Sequence, residues 1–246
     1  MDRTWQVSAE KFEAFGTSHV VVLLLFAVGA WAIVVIGRRH RDTAEAVRFS
    51  RMYAVAIPFF TVPLQMLQFL PADWDLRTSL PLHLCDLAWP AAVVALWSHR
   101  PWAVGLTYYW GLTLTTQAMI TPALDQAWPN PRFFMYWGMH FLIVWAAIYL
   151  TWGLRITPTW RTYRTTVICT AVWAGCVYVF NVVAGTNYGY LNDKPVTASI
   201  LDVLGPWPVY VFVEIALILG VWALMTLPWT RADQRREAAE AGRVPA

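Results

Sequence analysis

The sequence predicts an all-α polytopic membrane protein, a bundle of about seven transmembrane helices. Hydrophobic residues make up 58% of the chain and charged residues only 13%, with a mean hydropathy of +0.46. Seven apolar runs can be marked off, near 18–36, 51–70, 80–97, 102–122, 133–152, 164–184 and 206–228. Each comes close to the ~20 residues a helix needs to cross a bilayer. Tryptophans recur at the run ends, at Trp74, Trp97, Trp102, Trp128, Trp152, Trp160, Trp207 and Trp229, as interfacial anchors do.

Each run carries its own signals. The first is too long for a cleavable signal, and its leader carries Asp2, Glu10 and Glu13 instead of a basic segment. Pro58 and Pro63 predict kinks in the second run, and Pro90 in the third. Ser79 as a cap and Pro81 in the first turn predict a third helix starting there, which sets Cys85 about one turn inside. Thr113, Gln117 and Thr121 predict a polar stripe on the fourth helix, and Tyr210 and Glu214 a polar pair on the seventh. Residues 1–229 then form one seven-helix membrane domain, and 230–246 a charged tail.

Orientation follows from the basic residues. Alternation places Arg38, Arg39, Arg41, Arg48, Arg51, Arg100, Arg155, Arg161, Arg164, Arg231, Arg235, Arg236 and Arg243 on one side, 13 of the 18. Arg3, Lys11, Arg77, Arg132 and Lys194 fall on the other. The positive-inside rule predicts an external N-terminus, a cytoplasmic C-terminus and a multi-pass protein of the cell membrane.

With that topology, polar side chains converge on one layer. Cys85 is expected ~6 Å inside the outer end of its span and His140 ~10 Å inside its own, at 1.5 Å per residue. Gln65, Gln68, Gln117, Asn181, Tyr210 and Glu214 fall at similar depth. Polar groups inside a membrane are costly and mark sites. On a regular helix His83 and Cys85 stand ~200° apart. His83 then serves at the helix start, and the base for the thiol comes from another helix. His140 is the other histidine at matching depth. Cys169 and Cys176 lie on an apolar face and read as packing. Gln65, Gln68 and Asn181 equally suit interhelical hydrogen bonds, Glu214 a partnered carboxylate, and Asn187–Pro195 a folded turn.

The run Leu80-Pro81-Leu82-His83-Leu84-Cys85-Asp86, with His140 well downstream of the cysteine, resembles the YwaF-type integral membrane family. So do Asn181…Gly185-Thr186-Asn187-Tyr188-Gly189-Tyr190-Leu191…Lys194-Pro195 and Gly205-Pro206-Trp207-Pro208. Distant vertebrate relatives of that family are transmembrane phospholipid acyltransferases with a cysteine in such a run and a remote histidine. The resemblance implies Cys85 as the acyl-accepting nucleophile and His140 as its histidine. Asn181, Asn187, Tyr188 and Lys194 match further motif positions, and His83, Asp86, Gln117 and Glu214 complete the candidate substrate-binding set.

The residue types fit acyl transfer, which needs a nucleophile, a base and oxyanion donors. Lys194 and Arg77 suit a phosphate head group. The expected substrates are phospholipids or lysophospholipids, with the membrane as partner, no nucleic acid and no cofactor or metal. Two alternatives stay open. A transporter or channel would also carry polar residues within its spans. A metal-dependent membrane hydrolase could draw on His83, Asp86, His140 and Glu214.

Overall fold

The computed structural model describes residues 12–72, 74–122, 124, 126–195 and 200–241. Asp2, Arg3, Glu10, Lys11 and Arg243 lie outside the described residues. The described chain forms seven helices and no strand: α1 (Thr17–His40), α2 (Ala44–Gln68), α3 (Leu84–Ser98), α4 (101–120), α5 (Pro131–Gly153), α6 (Trp160–Ala184) and α7 (Val209–Ala241). Short 3₁₀ turns at Tyr188–Tyr190 and Ile200–Leu204 lie between α6 and α7.

Each apolar run is therefore a helix, but the runs do not all meet the demands of a span. α1, α5, α6 and α7 as far as Ala232 are long and apolar enough to cross a bilayer. α2 begins ahead of its apolar run and carries Glu45, Arg48 and Arg51 in its early turns. α3 has only 15 residues, because it begins at Leu84, later than Ser79 and Pro81 suggest. Local chemistry explains several ends. Arg38, Arg39 and His40 close α1, where the helix dipole favours cations. Asn130 caps α5 by accepting the Arg132 amide at 2.9 Å, with Pro131 in first position. α6 ends on Gly185 at φ 64.

The core is built around α3, α4 and α5. All residues from Ala103 to Trp110 on α4 are buried. Ala92, Ala95 and Leu96 of α3 pack there with Ile57 of α2 and with Ala146 and Leu150 of α5. A second cluster joins Leu84, Ala88 and Ala91 of α3 to Tyr109 of α4, Met139 and Ile143 of α5 and Trp222 of α7. α1 lies against α5 so tightly that a Cβ on Gly37 would come within 2.6 Å of the Gly153 Cα. Small residues allow that backbone approach between membrane helices. Arg41 fastens the same corner, its Nη2 donating to the Gly153 carbonyl at 2.6 Å.

Burial separates inner from outer helices. Over half of the α5 spanning window is buried, 56%, against 17% for α1, 11% for α6 and 17% for α7. Leu24, Trp31, Ile168, Val183 and Phe212 all stand exposed. So large an apolar surface would drive aggregation in water, and it is the ordinary outer face of a helix in hydrocarbon. This is a membrane protein.

α4 departs from regularity where a polar stripe was expected. Residues Gly111–Thr115 form a π-turn, which adds a residue and rotates the remainder of the helix. Thr113 consequently donates to the Tyr109 carbonyl and accepts the Trp222 indole N–H at 3.3 Å. Gln117 is exposed instead of sharing that face. A second π-turn, Tyr149–Gly153, closes α5.

Candidate functional site

The stretch ahead of α3 is not helical, and Leu80, Leu82 and His83 are partly buried beside a buried Ser79. Ser79 is buried, and its hydroxyl caps the preceding turn by accepting the Asp75 amide at 2.9 Å, so it is not the cap of α3. Buried backbone without a helix must find other partners, and here side chains from three other elements supply them. Gln65 of α2 donates to the Ser79 carbonyl at 2.9 Å. The Tyr188 hydroxyl accepts the Leu80 amide at 3.0 Å and donates to the Leu76 carbonyl at 2.7 Å. Trp173 of α6 donates its indole N–H to the Leu82 carbonyl at 3.0 Å. Trp173 is three turns back from the Ala184 end of α6, about 16 Å along the axis at 1.5 Å per residue. Its ring bridges the middle of α6 to the segment ahead of α3 and to Gly189.

His83 is the N-cap of α3, at φ −69 and ψ 151. Its backbone is extended, so the near-opposite orientation to Cys85 that a regular helix would impose does not hold. Its amide donates to Asp86 Oδ2 at 2.9 Å. Asp86 therefore acts as the capping carboxylate of α3. The His83 ring lies against Tyr188 and Tyr190, with centroids 5.2 and 5.8 Å away, and Nδ1 accepts the Gly189 amide at 3.4 Å. Cys85 is a free, half-buried thiol in the second helical position. There the amides of Leu84 and Cys85 have no acceptor within the helix.

The turn that meets His83 is held by Asn181. This buried amide donates to the Tyr188 carbonyl and to Asn192 Oδ1, and it accepts from the Tyr188 amide and the Thr186 hydroxyl, all at 2.8–2.9 Å. Asn187 ties the loop's other end, donating to the Asp193 carbonyl at 2.7 Å. Gly189 adopts φ 67, and a Cβ there would come within 2.6 Å of the Trp173 ring. Lys194 Nζ reaches the Asp202 carbonyl at 3.4 Å and lies 5.7 Å from the Tyr210 ring centre. Tyr210 in turn donates to the Tyr190 carbonyl.

His140 sits on α5, 3% exposed. Nδ1 lies 2.7 Å from the Tyr136 carbonyl, and the two rings are tilted at 36° with centroids 4.1 Å apart. Met139 beside it shares a buried cluster with Leu84 beside Cys85, although no hydrogen bond joins Cys85 to His140 among the described residues. Glu214 is half-buried on α7, one turn from Tyr210, and Gln117 is exposed. The structure therefore gathers His83, Asp86, Asn181, Asn187 and Tyr188 in one bonded unit, with Lys194 at its edge. Gln117 and Glu214 are not bonded into it. Among the described residues no three His, Cys, Asp or Glu side chains are grouped to hold a metal.

A family model matches residues 14–226, which takes in each of these positions. The chain belongs to the TMEM164 family. The reading of an integral membrane family from the Leu80–Asp86 and Asn181–Pro195 motifs stands in that form, since TMEM164 is a membrane protein family. No curated protein and no solved structure matches the chain. Among the residues of this site, Trp173, Tyr190 and Asn192 escaped the sequence reading. A tryptophan in mid-run carries no signal beyond packing, whereas Tyr190 stood inside the quoted motif.

Proposed function

We propose that the protein is a membrane-embedded lipid acyltransferase in which Cys85 carries the acyl group and His140 moves the proton. One observation supports His140 in that role. A carbonyl oxygen can only accept, so the contact with Tyr136 requires the hydrogen of a neutral His140 on Nδ1. Nε2 then presents a lone pair, and it has no hydrogen-bond partner among the described residues. That is the form of a general base.

In the first half-reaction Nε2 takes the Cys85 Sγ proton and sulfur attacks the ester carbonyl of a phospholipid. The C–O bond breaks, and the proton passes from Nε2 to the departing lysolipid alkoxide. In the second half, the hydroxyl of a lysophospholipid gives its proton to Nε2 and attacks the thioester. Sulfur leaves and recovers the proton. The amides of Leu84 and Cys85, free at the helix start, suit the oxyanion in both halves. Apolar outer faces on α1, α6 and α7 support lipid substrates, and Lys194 and Arg77 offer charges for a phosphate. We read the domain as 1–229 with a cytoplasmic tail, the N-terminus external and the site in the outer half. That orientation rests on the arginine distribution.

Intact-mass measurement on protein from native membranes tests the reading. The expected result is a fatty-acyl adduct, removed by hydroxylamine, on wild type and absent from Cys85→Ala. Lipid transfer that persists in a folded Cys85→Ala protein would remove the nucleophile and the proposal with it.

A further inference from the structure

The neighbours of the two candidate histidines favour opposite tautomers. His140 gives its Nδ1–H to the Tyr136 carbonyl and keeps a lone pair at Nε2. His83 faces a donor instead. The Gly189 amide can only donate, so Nδ1 of His83 must accept, and its neutral ring carries the hydrogen on Nε2. That Nε2–H has no hydrogen-bond partner among the described residues.

The ring is held in place on several sides. Tyr188 and Tyr190 flank it, and its main-chain amide is anchored on Asp86 Oδ2. The donor that sets its tautomer is equally fixed. Gly189 lies at φ 67, and the Trp173 ring occupies the space where a side chain would begin. A glycine is what this turn admits, and it aims a backbone N–H at the imidazole. His83 also directly precedes the first turn of α3, close to the thiol in sequence, and its extended backbone frees the ring from helical rotation.

We propose that His83 is a second catalytic residue, its Nε2–H donating to the oxyanion formed when Cys85 attacks an ester. The proposal rests on the acyl-transfer reading and deepens it. Acyl transfer needs one group that accepts a proton and others that meet the developing negative charge. His140 and His83 divide those tasks. No proton leaves His83 during the step. Its hydrogen bond strengthens as the carbonyl oxygen gains charge, alongside the amides of Leu84 and Cys85, and relaxes when the tetrahedral adduct collapses.

The test separates attack on a carbonyl from reactivity of the thiol. Purified protein in detergent is mixed with p-nitrophenyl decanoate, and the burst of p-nitrophenolate reports acylation of Cys85. Iodoacetamide labelling of Cys85, read by peptide mass, reports thiol activation without any oxyanion. His83→Phe keeps an aromatic ring between the tyrosines and removes the N–H. It should slow the burst by about 10²–10³, the usual cost of one oxyanion donor, and leave alkylation at the wild-type rate. His83→Gln, which retains both a donor and an acceptor, should recover most of the burst. His140→Ala should lose both readouts.

A wild-type burst in His83→Phe would overturn the proposal. So would a parallel loss of burst and alkylation in that variant, which would make His83 a structural residue. Absence of any burst in wild type, with Cys85 still alkylated, would instead remove the acyl-transfer reading beneath it.

Discussion

The indole N–H of Trp173 donates to the Leu82 carbonyl at 3.0 Å, tying the middle of α6 to the residue before His83. This bond fastens a non-helical segment to α6. Trp173→Phe keeps a ring against Gly189 but leaves that carbonyl unpaired, at a cost of roughly 1–3 kcal/mol. The unfolding midpoint in detergent should fall by several degrees, and Cys85 acylation should fall with it. An unchanged midpoint and burst would show that the bond does not position the site.

Asn181 makes four hydrogen bonds to the turn that meets His83. Asn181→Ala removes all of them inside a buried spot. The helices should remain assembled, since few core contacts are lost, while the loop at 185–195 loosens. Limited proteolysis should then cut at Tyr190 or Lys194 in the variant and spare wild type. Equal protection of both proteins would assign the loop's order to Asn187 and Tyr188 instead.

The orientation is open to direct mapping. Single cysteines introduced between Arg38 and Arg51 should react with an impermeant maleimide only after the membrane is opened. Those placed from Asn187 to Pro195 should react in intact cells. The reverse pattern would move the site to the inner leaflet.

His99 gives the protein an acid sensitivity at the other end of α3. Its Nε2 lies 2.9 Å from the buried Ser50 hydroxyl. Burial, and after it the charge of Arg51, holds its imidazole below the ordinary histidine value. The fold thus favours neutral His99, while the unfolded chain takes up a proton near pH 6.5 as an ordinary histidine does. This contribution is complete above about pH 6.5 and is lost as pH falls below it. The unfolding midpoint should decline on that side, and His99→Gln should flatten the decline. A slope unaltered in His99→Gln would assign the sensitivity to other groups.

How much of this could be read from the chain differs by residue. Apolar length marked out all seven helices, because an apolar run of ~20 residues has few other uses. Ser79 and Pro81 misled, since a serine oxygen caps a turn as readily as a helix, and here it serves the Asp75 turn. The π-turn at Gly111–Thr115 leaves no mark in composition, so Gln117 was placed on a face it does not occupy. Asn181 and Tyr188 stood out as motif members, but their reach to residues 76–80 depends on tertiary contacts. His83 was read as a residue of the helix start, and its ring partners came only with the fold.

α6 has a mechanical consequence. About half of its 25 residues are exposed, and Trp173 grips the segment leading to Cys85. A helix bathed in acyl chains adjusts its tilt to the thickness of the surrounding bilayer. Through that grip, tilt becomes displacement of Leu82 and of the thiol just beyond it. Reaction rate should therefore track the chain length of the host lipid, even when the reacting molecule is held constant. On the acyl-transfer reading, the protein would then gauge the thickness of its own membrane.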